Sequence, residues 1–146
     1  MRAIIDTNII IDILQEREPR YEAGKKIFLA IARKEFIGCI TAKQIADIHY
    51  ITKKQFKGEK NADAKARRVL ANIFTLFEII DTLASDCINA LVLNNNDYED
   101  SILIATAKRT NVDCIVTANP KDFRSSPIKV YDQNDFLCML DQNLTE

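Results

Sequence analysis

The sequence is short of several things at once: one histidine, three glycines, three prolines and almost no net charge. With His49 as the lone imidazole, Ser-His-Asp and Cys-His nucleophile chemistry and a Cys/His zinc site are all disfavoured, and His49 itself reads as a structural or surface residue. The four cysteines (Cys39, Cys87, Cys114, Cys138) form no C-x-x-C, and three of them lie in apolar runs, where they read as small buried hydrophobes. A net charge of −1, from 20 Lys and Arg against 21 Asp and Glu, argues against binding nucleic acid by bulk positive charge. No run approaches the ~20 apolar residues that span a bilayer; the early Ala3-Ile4-Ile5 stops at Asp6. No charged segment leads into an apolar one of signal-peptide length, so a cytoplasmic protein is expected. Linkers, repeats and low-complexity stretches are missing too.

What is present is an ordinary globular composition: 146 residues, 47% apolar and 28% charged. That suffices for a sizeable core and a single domain over 1–146, and it lies far from the disordered class. Residues 2–5 predict a short strand, and Thr7 or Asn8 a cap for a helix through Ile9, Ile10, Ile13 and Leu14. Pro19 opens a second helix carrying Ala23, Ile27, Phe28 and Ile31 at helical spacing. Further strands are expected at 36–40, 77–80, 113–117 and 128–130. Helices are expected from Thr41, from about Ala62, over 83–93, from about Asp97 to Arg109, and over 133–140. Short apolar strands alternating with helices predict an α/β fold, with a mostly parallel sheet covered on both faces.

Ligands of such sheets collect outside the carboxyl ends of the strands, so polar residues there are the candidates for chemistry. Asp6 directly follows the first strand, Asp122 lies five residues past Thr117, and Asp97 and Asp100 open a helix. Asp47 stands a turn and a half into the helix after the second strand, among Ile45, Ile48 and Ile51, and neither Lys43 nor Ile51 obliges it to pair. Each carboxylate has a plain structural reading: Asp6, Asp97 or Asp100 as a helix-terminus residue, Asp122 in a turn. Together, with no balancing histidine, they point to a site for a hard cation such as Mg²⁺ or Mn²⁺.

Asp6-Thr7-Asn8 after an apolar strand, Asp100 four residues before Ile104-Ala105-Thr106-Ala107, and the segment Ile115 to Phe123 with its T-x-N-x-x-D-F pattern resemble the PIN domain. That family is best known as the VapC-like ribonuclease toxins of toxin–antitoxin pairs. The resemblance runs from Met1 to about Leu140 and implies a three-layer α/β/α sandwich with metal-dependent endoribonuclease activity. It places the catalytic carboxylates at Asp6, Asp47, Asp100 and Asp122, with Asp97 sharing the metal site and Thr7, Asn8 and Asn119 supporting it. Asp47 is one methylene shorter than the Glu usual there. The resemblance further implies an RNA substrate, an antitoxin partner and a homodimer.

Residues 53–68 hold seven Lys and Arg against two acids, a local +5. Within this stretch Lys53, Lys54, Lys57, Arg67 and Arg68 are candidates for contacts to an RNA backbone, joined by Lys108, Arg109, Lys121 and Arg124 near the expected site; the alternative is a solvated helix surface. Three rival functions fit less well. A haloacid-dehalogenase-like phosphatase needs D-x-D, and the third position is Asn8. A receiver-like domain needs an acidic partner adjacent to Asp6. A catalytically silent PIN-like RNA- or protein-binding module would be expected to have lost these carboxylates.

Overall fold

The structure is a computed structural model describing residues 1–144. Its five strands are short: β1 (Arg2–Ile5), β2 (Ile37–Thr41), β3 (Glu78–Ile80), β4 (Cys114–Val116) and β5 (Lys129–Tyr131). They pair in parallel in the order β3-β2-β1-β4-β5. The helices are α1 (Thr7–Leu14), α2 (Tyr21–Ala32), α3 (Ala42–Gln55), α4 (Ala62–Leu76), α5 (Ala84–Ala90), α6 (Tyr98–Arg109) and α7 (Gln133–Leu144).

Strand side chains alternate between faces, and each face feeds a separate core. Ala3, Ile5, Ile40, Cys114 and Val116 point to a core completed by Ile9, Ile10, Ile27, Ile31, Ile48, Ile73 and Phe136 from α1–α4 and α7. Ile4, Cys39 and Ile115 point the other way, against Leu103, Ile104 and Ala107 of α6. Both faces are therefore covered, which makes three layers. Close approach of α1 to α2 requires Gly24, where a Cβ would stand 2.6 Å from Ile13 Cγ1.

Cys39 and Cys114 are buried, and burial pushes their thiols up to about 11 and about 12. Cys138 corrects expectation: despite its apolar neighbours it faces outward on α7 and is exposed, because Phe136 and Leu140 take that helix's buried positions. The helix expected over 83–93 ends at Ala90. Leu91 and Val92 beyond it are exposed, so no core contact extends it.

From β1 the chain moves outward to β2 and β3, then returns to lay β4 on the other side of β1. The order reverses between β1 and β4, and a crevice opens at such a switch point. Register brings Ile5 beside Val116, so the next residues, Asp6 and Thr117, stand at that crevice. Among the described residues no helix is long and apolar enough to cross a membrane.

Candidate active site

The crevice is a cleft of about 410 Å³ at the carboxyl edge of the sheet. Its lining includes Asp6, Asp47, Asp97, Glu99, Asp100 and Asp122, with Thr7, Asn8, Lys43 and Tyr50. The structure thus brings all five aspartates singled out in the sequence to one cavity, from four separate segments of chain.

Asp6 is the most deeply buried of them, at 7% exposure. Thr117 Oγ1 donates to its Oδ2 at 2.8 Å, and the amides of Thr7 and Asn8 face it without closing a cap hydrogen bond. Burial pushes the Asp6 carboxyl up; the Thr117 hydroxyl and the two amides oppose this, and the charge of Asp122 adds to it. Thr41 and Gln44 form a capping box at the start of α3, and Gln44 Nε2 then donates to Ile5 O (2.8 Å) and Thr7 Oγ1 (3.2 Å). This buried amide ties α3 to the β1–α1 corner that holds Asp6.

Asp97 caps α6, its Oδ1 accepting from Glu99 N at 2.8 Å and Asp100 N at 3.4 Å. The helix-terminus reading holds for Asp97, which still lines the cleft. Asp100 is half-buried and is pushed up to about 7, first by burial and then by the charges of Asp6, Asp97, Asp122 and Glu99. Asp122 closes a short 3₁₀ turn over Pro120–Phe123; its amide bonds Asn119 O at 3.1 Å, and the Asn119 side-chain amide donates to its carboxylate. Asn119 N in turn donates to Thr117 Oγ1 at 3.1 Å, so Asp122 and Asp6 are linked through Asn119 and Thr117.

Asp47 departs from expectation: Lys43 Nζ lies 2.6 Å from its Oδ2, and 3.1 Å from Glu99 Oε1. Burial works against the ammonium, but the bonds to Asp47 and Glu99 outweigh it and raise the Lys43 pKa above the ordinary lysine value. The i, i+4 spacing was the available signal; Lys ahead of the acid is the weaker order for a helix pair, and the extra support comes from Glu99 on another helix.

The basic residues split. Lys53 and Arg67 both turn to Asp63, at 3.4 and 2.6 Å, and His49 Nε2 lies 3.2 Å from the same carboxylate, outside the cleft lining. Lys54, Lys57 and Arg68 carry no ion pair among the described residues. Lys53, Lys54 and Lys57 line a second hollow of about 470 Å³, and exposed Tyr50 lines both hollow and cleft. Arg109, expected near the site, is instead bonded to buried Asp86 through two nitrogens, each at 2.8 Å. Helical rise explains the error, since α6 starts at the cleft and Arg109 stands roughly 13 Å along it from Asp100.

Thr117, Gln44 and Glu99 were not singled out as site residues in the sequence, and Lys43 was weighed there only as a neighbour that need not pair with Asp47. Thr117 was the most accessible of these, following β4 as Asp6 follows β1. Among the described residues no three acids, histidines or cysteines close into a ready coordination cage. The donor set nonetheless suits a hard cation: oxygen donors only, on converging segments, with Asp6, Asp100 and Asp122 in no ion pair among the described residues and Asp100 raised by burial and by the charges beside it.

Fold and site define an α/β/α protein with an acid-lined cleft at the switch point of a parallel sheet. The chain belongs to the PIN domain family, whose description it matches over residues 2–121. Among solved structures, FitAcB from Neisseria gonorrhoeae is similar with a TM-score of 0.70 at 17% identity, over 90% of this chain and 97% of that one. VapBC2 from Rickettsia felis, bound to a DNA fragment from its promoter, gives 0.67 at 19% identity over 90% and 98%. A toxin–antitoxin complex from Klebsiella pneumoniae gives 0.64 at 23% identity over 90% and 97%. No curated protein matches the chain.

Proposed function

We propose that the chain, acting as a single PIN-like domain in the cytoplasm, is an endoribonuclease dependent on Mg²⁺ or Mn²⁺ that hydrolyses RNA phosphodiester bonds. The observation that carries this reading is the set of carboxylates without a cationic partner at the switch point, with the Asp100 carboxyl pushed up to about 7 first by burial and then by its acidic neighbours. Such repulsion persists in a fold only where something else compensates it, and a divalent cation is the economical answer. Asp6, Asp100 and Asp122 would hold the ion, with Asp97 at the edge of the set and Asp47 on the opposite wall. Thr117 and Asn119 fix the orientation of Asp6 and Asp122, and Thr7 and Asn8 back Asp6. A bound divalent ion supplies a more acidic water and charge neutralisation at the phosphate. Lys54 and Lys57, beyond Tyr50, would hold the RNA backbone without reading sequence, with Lys53, Arg67 and Arg68 adding to the field.

The likeness to chains of VapBC complexes and of a toxin–antitoxin complex supports a toxin role with an antitoxin partner; a homodimeric state is part of the same proposal and rests on the family resemblance alone. The test is cleavage of a defined single-stranded RNA by purified protein with Mg²⁺ or Mn²⁺, with EDTA and Asp6→Asn as controls. Loss of cleavage in both controls is the expected result. RNA binding without cleavage under any metal condition would select the silent binding module instead.

A further inference from the structure

Lys43 is oddly placed for a lysine. It sits in the first turn of α3, where the helix dipole disfavours a cation, and its backbone amide is engaged by Thr82 Oγ1 at 3.3 Å. Its ammonium nevertheless turns into the acidic cleft and meets Asp47 of its own helix at 2.6 Å and Glu99 of α6 at 3.1 Å, with the side chain only 29% exposed. Lys43 thus bridges the two walls of the cleft. The acids fall into two groups: Asp47 and Glu99 share an internal cation, whereas Asp6, Asp100 and Asp122 have no counter-charge among the described residues.

We propose that Lys43 is a cation built into the cleft: it occupies the Asp47 and Glu99 side, confines the divalent ion to Asp6, Asp100 and Asp122, and makes Asp47 the holder of Lys43, with no direct bond to the metal. This inference rests on the metal-dependent reading above. A divalent ion placed on Asp47 would lie within a few ångströms of the Lys43 ammonium, and the two positive charges would repel at close range. An ammonium has three donors, and two are directed at Asp47 and Glu99, which leaves one for an anionic oxygen of a phosphate entering the cleft. Lys43 is therefore a positioning residue for the metal and a contact for the substrate's charge.

The test is a Mn²⁺ titration followed by the electron paramagnetic resonance of the free ion, without substrate. The wild-type chain is expected to bind one Mn²⁺, and Lys43→Met, which frees Asp47 and Glu99, to bind two. Lys43→Arg keeps the charge and is expected to bind one. Asp47→Asn is expected to leave the Mn²⁺ affinity within about 2-fold, whereas loss of a direct ligand would weaken it by about 10-fold or more, since losing an outer-sphere support of a ligand already costs about 10-fold. A loss of that size in Asp47→Asn, or a single Mn²⁺ in Lys43→Met, overturns the role of Lys43 while leaving the metal site standing. No bound Mn²⁺ in the wild-type chain overturns the metal-dependent reading itself, and this proposal with it.

Discussion

Two regions of the molecule bury aspartates in opposite ways. Where α5 packs on α6, Asp86 is 1% exposed and fully answered: Arg109 bonds both its oxygens, Thr106 Oγ1 donates at 3.0 Å and the Leu83 amide at 2.9 Å. Burial pushes the Asp86 carboxyl up, but these donors outweigh it and hold it below the ordinary carboxylate range. At the switch point, Asp6 is 7% exposed with a hydroxyl and facing amides but no cation, and neighbouring Asp100 is pushed up to about 7. Asp12 follows the Asp86 pattern, with Arg20 Nε at 2.5 Å. A buried carboxylate with an arginine is compensated within the fold, and removing the arginine would strand its charge. A buried carboxylate facing other carboxylates costs the fold stability and marks a place where a cation is wanted.

The largest expected effect lies in the cleft. Asp6→Asn or Asp100→Asn should lower RNA cleavage by about 100-fold or more, the equivalent of about 2.7 kcal/mol or more, while the fold stays intact. Rate measurements under saturating metal check this; a loss under about 3-fold would remove those carboxylates from the reaction. The opposite region should answer in stability. Arg109→Met strands the Asp86 charge and should cost about 3 kcal/mol in urea unfolding, with activity per folded molecule retained. A cost below about 1 kcal/mol would dissolve the contrast between the two regions.

How much of this was legible in the sequence differs between the same two regions. Asp6 was visible because it directly follows an apolar strand, and Asp97 and Asp100 because they open a helix, whereas Asp47, inside a helix, was marked only by its apolar neighbours and by the family resemblance. Asp86 and Asp12 gave no signal: each sits within a helix, and its arginine is fixed only once the helices pack. Thr41 was legible as a cap, while the onward reach of Gln44 to Ile5 O depends on how α3 docks against β1. The Lys43 pair needed Glu99 from a distant segment. Strand order was likewise invisible, because alternating strands and helices do not say on which side of β1 the fourth strand is laid.

The pH dependence sharpens the comparison. Burial and the neighbouring carboxylates push Asp100 up to about 7, above the ordinary carboxylate value, so its contribution to stability is present at low pH and is lost as pH rises through about 7. Asp86, held low, contributes in the other direction: its stabilisation is present above the ordinary carboxylate value and is lost as pH falls through its lowered one. Metal-free protein should therefore lose thermal stability between about pH 4 and about pH 7 and level off above that, and Asp100→Asn should flatten that slope. An unchanged slope in the variant would place the titrating group elsewhere. The smallest effect is expected at the basic hollow, where Lys54→Ala and Lys57→Ala should each weaken RNA binding several-fold and lower the salt dependence by about one unit of slope. Lys53, already engaged by Asp63, should matter less. Equal losses at all three would mean that the ion pair opens on binding.

The most direct test of the central claim is the thermal stability of the wild-type chain, Asp100→Asn and Arg109→Met with and without Mn²⁺. An ion at about 100 times its Kd stabilises the fold by about 2.7 kcal/mol. That gain is expected in the wild type and in Arg109→Met, from a lower starting point, and its loss in Asp100→Asn. An equal gain in Asp100→Asn, or none in the wild type, would contradict the claim.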